Sequence, residues 1–150
     1  MKTITITISK AEALHQANLR NYYAGESAKV GDMVEIATKM QTSEDNADVM
    51  EKFVIDAATH LVQVLAPVCI DVQVELGDTI TYTIKVSDLY ADSQTTVIQQ
   101  QAFEYIVNQA ILQWLLLAFP SKSEMFATNC GTLEFTIRQA INKRLKPTER

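Results

Sequence analysis

Four acidic side chains near the middle of the chain are the first candidates for chemistry: Glu75, Asp78, Asp88 and Asp92. Carboxylates that converge in a cleft can act as general acid and base or hold a cation. Acidic residues are also frequent in turns and at helix starts, because their oxygens accept hydrogen bonds from free backbone N–H groups. The four residues surround a predicted turn and a predicted helix start, which favours this structural interpretation over an enzyme that uses the acidic cluster.

Two cysteines and two histidines are the candidates for nucleophilic or metal chemistry. Cys69 and Cys130 lie far apart among apolar neighbours, which predicts buried free thiols rather than a disulfide or a metal pair. Burial raises the pKa of a thiol, so a Cys–His nucleophile built with His15 or His60 is disfavoured. Asp56 lies one helical turn before His60, but two ligands do not complete a metal site. We therefore predict no enzyme, no catalytic residue, no metal and no cofactor.

The composition is that of an ordinary globular chain. Of the 150 residues, 47% are hydrophobic and 21% are charged, and the formal net charge is −5. We expect one domain over residues 1–150 with a short basic tail at 146–150. The acidic balance argues against a general nucleic-acid binder, which would present a basic face.

Neither the N-terminal stretch nor the most apolar run has the pattern of a targeting or membrane segment. Residues 1–10 alternate in polarity, whereas a secretory signal has a charged start followed by an apolar run. The apolar run at 111–119 has about half the length that a bilayer requires. We expect a chain made in the cytoplasm, with no membrane partner.

The stretch 93–119 predicts a long helix around which the other elements are organised. Its apolar residues recur at steps of four and three, which places them on one stripe. They are Phe103, Val107, Ala110, Trp114 and Leu117. Beyond Ala110 the apolar character spreads around the helix, so other elements should surround its C-terminal half. We interpret Trp114 as a core residue, and Pro120 ends the helix.

Strict alternation of apolar and polar residues predicts three strands. Residues 3–8 form a short strand, expected at a sheet edge, and residues 70–86 form a hairpin. Its two apolar sets share one face only if the loop is odd in length, so we predict the loop Gly77–Thr79. The resulting pairs are Asp71 with Lys85, Val72 with Ile84, Val74 with Tyr82, and Leu76 with Ile80.

Helices are predicted on both sides of this hairpin. A capping box of Ser9 and Glu12 predicts a helix that Gly25 interrupts. Its inner stripe is Ala11, Leu14, Asn18 and Tyr22. A second helical piece follows at about 27–40. The next helix is predicted at about 43–66, before Pro67, with the inner stripe Met50, Phe53, Val54, Ala57, Leu61 and Leu65.

The last helix is predicted to start at the capping box of Ser121 and Glu124. Its stripe is Phe126, Cys130, Leu133, Ile137, and Ala140 or Ile141. The fold class that follows is α+β and predominantly helical, with four to five helices packed on one face of a small antiparallel sheet. The hairpin 70–86 and the N-terminal strand 3–8 form that sheet.

Three regions are candidate partner contacts. A terminal strand with free backbone groups can add to a neighbouring sheet, and Thr3, Thr5 and Thr7 lie on its polar face. A helix cannot bury two adjacent tyrosines on one stripe, so one of Tyr22 and Tyr23 faces outward or meets another chain. The basic C-terminal end is either a solvated helix end or an arm for an acidic partner or nucleic acid. It contains Lys143, Arg144, Lys146 and Arg150.

The order of elements and several segments resemble small uncharacterised proteins encoded among phage and prophage structural genes. The resemblance is carried by NYYAGE at 21–26, TSEDNAD at 42–48, the apolar hairpin, EYIVNQAILQWLLL at 104–117 and IRQAINKRLKP at 137–147. It implies a virion subunit, of the head-tail connector, tail-completion or minor tail type, that acts as copies in a ring. The implied partners are other copies of the chain and other virion proteins, with no catalytic residues and no small-molecule ligand. Nucleic acid would be contacted only locally, through the C-terminal tail.

A second hypothesis is a module that binds a small molecule or peptide between the hairpin and the central helix. Such a pocket would be lined by Tyr82, Tyr105 or Trp114 together with a few convergent polar groups. An enzyme that uses the acidic cluster or a Cys–His pair is the third hypothesis.

Overall fold

The computed structural model describes residues 1–28, 47–118 and 120–143. In chain order its elements are β1 (Lys2–Ser9), α1 (Lys10–Ala28), α2 (Ala47–Leu65), β2 (Asp71–Glu75), β3 (Thr79–Val86), α3 (Thr95–Ala118) and α4 (Glu124–Asn142). Short 3₁₀ turns at Asp92–Gln94 and Pro120–Lys122 precede α3 and α4. The predicted fold class is confirmed: the protein is α+β and predominantly helical.

The sheet has the order β1-β3-β2, and both pairings are antiparallel. β1 lies at an edge, as predicted. In the hairpin Asp71 is opposite Lys85 and Val74 is opposite Tyr82, so the odd loop length is confirmed. β2 ends one residue before Leu76, which leaves the predicted pair with Ile80 outside the ladder.

Helices cover one face of the sheet. The isoleucines of β1 and the apolar residues of β3 are buried against them. They are Ile4, Ile6, Ile8, Ile80, Tyr82, Ile84 and Val86. The opposite face carries exposed threonines in β1, because successive side chains of a strand point to opposite faces.

α3 occupies the centre of the molecule and contacts α1, α2, α4 and β1. Trp114 is a core residue, as predicted, and Val107 and Ala110 are buried with it. Leu117 contradicts the predicted stripe, because 68% of its surface is exposed, and Leu116 is 49% exposed. No described element covers these two side chains, so the expectation of a fully surrounded C-terminal half is wrong for the last turn.

The buried face of α1 differs from the predicted one. Ala13, Ala17 and Asn21 are fully buried, whereas Ala11 and Tyr22 are exposed. Alanines lack the bulk that separates helices, so the helix can turn these small residues inward and place its larger side chains at the margins. The predicted interruption at Gly25 is also wrong, since α1 continues to Ala28. Most of the predicted piece 27–40 lies outside the described residues.

The Ser9 cap of α1 is formed as predicted, because the backbone N–H of Glu12 donates to Ser9 Oγ at 3.3 Å. The inner stripe of α2 is also confirmed: its residues are buried, apart from the half-buried Phe53, and the helix ends before Pro67. The first four residues of the predicted helix, 43–46, lie outside the described residues.

The buried stripe of α4 agrees with the prediction, with Leu133 half-buried at its margin. Its predicted start does not, because Ser121 lies in the 3₁₀ turn and the N-cap is Ser123. Ser123 Oγ donates to the carbonyl of Pro120 at 2.7 Å. That hydroxyl therefore stabilises the turn between α3 and α4 instead of capping the helix.

Candidate contact surfaces

The acidic residues are divided between the two ends of β3. Glu75 and Asp78 flank the hairpin turn, whereas Asp88 and Asp92 follow the far end of the strand. Eight extended residues separate these ends by roughly 25 Å. The four side chains therefore do not converge in one cleft.

Asp88 and Asp92, the two acidic residues that follow β3, each form an ion pair. Asp88 Oδ1 lies 2.6 Å from the α-amino group of Met1, which lowers the pKa of Asp88 through hydrogen bonding and charge attraction. Asp92 Oδ2 lies 3.4 Å from Lys2 Nζ. These pairs attach the start of β1 to the connector that leads into α3.

The thiols and imidazoles do not form a nucleophilic pair. Cys130 is buried and Cys69 is half-buried, and neither is in a disulfide. Burial raises the pKa of Cys130 to about 12 and that of Cys69 to about 11, so both thiols are protonated near neutral pH. His60 is exposed and stacks on Tyr105 with 6.3 Å between ring centroids. Within the described ranges, no group of three or more His, Cys, Asp or Glu could hold a metal ion.

The aromatic residues proposed to line a pocket belong to the core. Tyr82 and Tyr105 are fully buried, and only 6% of Trp114 is exposed. Tyr82 Oη donates to the carbonyl of Ala58 in α2, and Tyr105 Oη donates to Glu134 Oε1 at 3.2 Å. Burial is the main cause of the raised pKa of both phenols, and the negative charge of Glu134 adds to it at Tyr105. These side chains join sheet to helix and α3 to α4.

A groove that the sequence did not indicate lies between the end of β1, the start of α1 and the first half of α3. Its volume is about 460 Å³. It is lined by Thr7, Ile8, Ser9, Glu12, Gln99, Gln100, Phe103 and Glu104. Glu104, one of these lining residues, forms a bidentate ion pair with Arg20 at 2.5 and 2.8 Å, and this contact raises the pKa of Arg20. The sequence did not indicate the groove because the two segments that line it, residues 7–12 and 99–104, are distant in sequence.

β1, which was predicted to contact a partner, has one backbone group on its free edge that is already hydrogen-bonded within the chain. Thr3, Thr5 and Thr7 are exposed, as expected for its polar face. The backbone N–H of Thr7 points away from β3 and donates to Gln99 Oε1 at 3.4 Å. A side chain of α3 therefore covers one of the groups to which a neighbouring strand would bind.

The opposite sheet edge, β2, is more apolar at its surface than the sequence indicated. Ile70 and Leu76 are 59% and 46% exposed, and Val72 and Val74 between them are half-buried. The alternation of β2 resembles that of β1, whose isoleucines are buried. Alternation identifies the inward face of a strand but not whether helices reach it, so the sequence could not separate the two edges.

The remaining predicted contacts are resolved in part. Tyr22 is 49% exposed, and the side chain of Tyr23 lies outside the description. Lys143 is exposed at the C-cap of α4, where its carbonyl accepts a hydrogen bond from the N–H of Ala91 at 3.2 Å. Arg144, Lys146 and Arg150 follow the described residues.

Comparison of the chain with protein-family models, with curated proteins and with solved structures finds no match in any of the three. In the part of the chain that the structure describes, no helix combines the length and apolar character needed to cross a bilayer.

Proposed function

We propose that this chain is a non-enzymatic assembly subunit of a phage or prophage virion, of the head-tail connector, tail-completion or minor tail type. It acts through contacts with other copies of itself and with other virion proteins. The virion setting rests on the resemblance of the sequence segments to products of phage structural genes, and the mode of action rests on the surface.

The observation that carries the assembly role is the grouping of exposed apolar side chains at two separate places. Ile70 and Leu76 flank the β2 edge, and Leu116, Leu117 and Met125 lie where α3 gives way to α4. Grouped apolar surface on a folded chain marks a site of protein contact more often than singly scattered residues do. Two different patches suit heterologous contacts, in which different faces of neighbouring copies meet, and such contacts generate rings when the rotation between copies closes.

The dispersal of reactive groups supports the same proposal. The four acidic residues lie at opposite ends of β3, and both thiols have a raised pKa. The four acidic residues and the two thiols therefore do not form a common reactive site in the described part of the chain.

Sedimentation velocity over a range of protein concentrations, followed by electron microscopy of the largest species, tests this proposal. We expect a concentration-dependent oligomer, with rings at high concentration. A chain that remains monomeric alone, and also when mixed with the products of its neighbouring genes, would contradict the proposal.

The groove beside β1 favours a second candidate function, a module that binds a small molecule or peptide. Its half-buried Phe103 and its amide and carboxylate side chains are the combination that binding pockets present. A screen of ligands by protein NMR would support this candidate if amide shifts cluster on Thr7 and Gln99 and are lost in Phe103→Ala. Shifts that persist in that variant would count against it.

A further inference from the structure

We propose that the outer edge of β2 accepts the basic C-terminal segment 143–150 of a neighbouring copy as an added strand. The inference rests on the proposed assembly function and gives it a specific contact. Its elements are the backbone groups, the apolar side chains and the charges of β2.

The backbone groups of Val72 and Val74 point away from the sheet. Because the N–H of Thr7 points away from β3, odd-numbered residues of β1 face outward and even-numbered residues bond to β3. Even residues of β3 therefore face β1, and its odd residues face β2. Lys85 and Thr83 pair with Asp71 and Gln73, so the alternate residues Val72 and Val74 direct their N–H and C=O groups to the free edge.

This edge is open among the described residues. Within those ranges, no hydrogen bond from outside the sheet reaches the backbone of Val72 or Val74. At the other edge Gln99 already accepts from Thr7. An incoming strand would have to displace that side chain from β1, whereas no side chain of the described ranges is hydrogen-bonded to the outward backbone groups of β2.

The side chains of β2 lack the cover that those of β1 have. Val72 and Val74 are half-buried and Ile70 is 59% exposed, although they lie on the helix-facing side of the sheet. Ile6 and Ile8, on the same side of β1, are 1% and 2% exposed. An added strand with an apolar residue on this side would cover the valines, and such burial contributes to β-strand addition.

The charges of β2 select the partner. A second β2 strand paired antiparallel about Gln73 would set Asp71 opposite Glu75, and like charges in cross-strand positions are destabilising. The edge therefore favours a basic strand. Four of the 13 cationic residues of the chain lie in its last eight positions.

The segment 143–150 has the matching pattern. Arg144 and Lys146 fall on one side of an extended chain and Leu145 falls on the other. In a parallel added strand with Leu145 beside Val74, Lys146 lies beside Glu75 and Arg144 lies beside Gln73. Eight extended residues reach about 26 Å, which exceeds the span of the five-residue β2.

A charge exchange in the full-length chain tests the contact. Glu75→Lys and Lys146→Glu are each expected to weaken self-association about tenfold in sedimentation velocity, since each places like charges together. The double variant is expected to recover to within about threefold of the parent chain, because the pair is restored with reversed signs. Asp56→Lys, which reverses a charge at an exposed site in α2 that belongs to neither patch, is the control and should leave association unchanged. Circular dichroism checks that every variant is folded.

A synthetic peptide with the sequence INKRLKPTER, which spans residues 141–150, gives an independent readout. We expect it to compete with self-association and to slow hydrogen exchange of the Val72 and Val74 amides, with weaker binding at high salt. Association that is equal in all variants and unaffected by the peptide would overturn the inference and leave the assembly function intact. A monomeric chain whose β2 amides the peptide still protects would support the edge as a receptor and contradict self-assembly. A monomeric chain without such protection would overturn both.

Discussion

At the scale of single residues, the buried tyrosines show how the core accommodates polar atoms. Tyr82 and Tyr105 are both fully buried, but their hydroxyls donate to different acceptors. The acceptor of Tyr82 is a backbone carbonyl inside α2, whereas that of Tyr105 is the half-buried carboxylate of Glu134. Water can replace the lost phenol at Glu134, whereas the Ala58 carbonyl would keep only its helical hydrogen bond and leave its second lone pair without a donor.

Tyr82→Phe is therefore expected to destabilise the protein more than Tyr105→Phe. Loss of a hydrogen bond that leaves a buried partner costs about 1–2 kcal/mol, while the second change should cost less than about 1 kcal/mol. Urea denaturation followed by circular dichroism measures both free energies of unfolding, and each variant is the control for the other. Equal losses would show that the Ala58 carbonyl is not isolated from water.

The buried thiol of Cys130 predicts a loss of stability in alkali. Its pKa is raised from 9.0 to about 12, so the unfolded chain releases this proton while the folded chain keeps it. The stabilising contribution is complete below about pH 9 and is lost as the pH rises towards the folded value, by at most about 1.4 kcal/mol per pH unit. Denaturant titrations between pH 8 and 10.5 should show a shallower decline for Cys130→Ala than for the parent chain. Parallel declines would exclude this thiol as a cause.

At the scale of elements, a sequence pattern predicted which residues share one side of a strand or helix. It did not predict whether neighbouring elements cover that side. The odd hairpin loop followed from the need to place Val74 and Tyr82 on one face, and a structure with any other parity would have turned apolar residues to water. The stripe of α3 failed at Leu117, because periodicity states which residues share a side but not where the neighbouring helices stop. The face of α1 failed for a related reason, since alanines such as Ala17 give a weak hydrophobic signal.

The exposed last turn of α3 gives a comparison within one helix. Ile106→Ala removes a fully buried side chain and should cost about 2–5 kcal/mol, as large-to-small core changes do. Leu117→Ala alters a surface position and should change stability by no more than about 0.5 kcal/mol. Thermal or chemical denaturation at a concentration where the chain is monomeric distinguishes the two. A large loss in Leu117→Ala would restore the predicted stripe.

The buried face of α1 can be tested with alanine enlargements. Ala17→Leu adds volume to a fully buried site and should cost about 1–3 kcal/mol. Ala11→Leu makes the same change on the exposed side of the helix and should be nearly neutral. The reverse order in urea midpoints would favour the stripe that the sequence predicted.

At the scale of the whole molecule, the folded chain separates two kinds of surface. The β2 edge of the sheet carries both charged and exposed apolar side chains, whereas the exposed side chains Leu116, Leu117 and Met125 near the α3–α4 turn are apolar. The sequence predicted the fold class and a contact role for the N-terminal strand, but it did not predict these patches. Each patch lies where the neighbouring described elements end. The position of those ends depends on the lengths and placement of elements that are far apart in sequence.

The patch at the α3–α4 turn is expected to contribute to assembly independently of β2. Leu117→Glu places a charge next to Leu116 at the end of α3 and should weaken self-association about tenfold, because an apolar contact would then have to desolvate a carboxylate. Stability of the monomer should be unchanged, since the position is exposed. Sedimentation equilibrium of Leu117→Glu beside Leu117→Ala separates charge from size, and unchanged association in both would remove this patch from the assembly.

The loop between Glu75 and Thr79 restricts which insertions and deletions the hairpin can accept. One inserted residue would exchange the two faces of β2. Asp71 and Glu75 would then face the helices, and Val72 and Val74 would face water. Two inserted residues would keep every side chain on its present face. Natural relatives that differ in length at this point should therefore gain or lose residues in pairs.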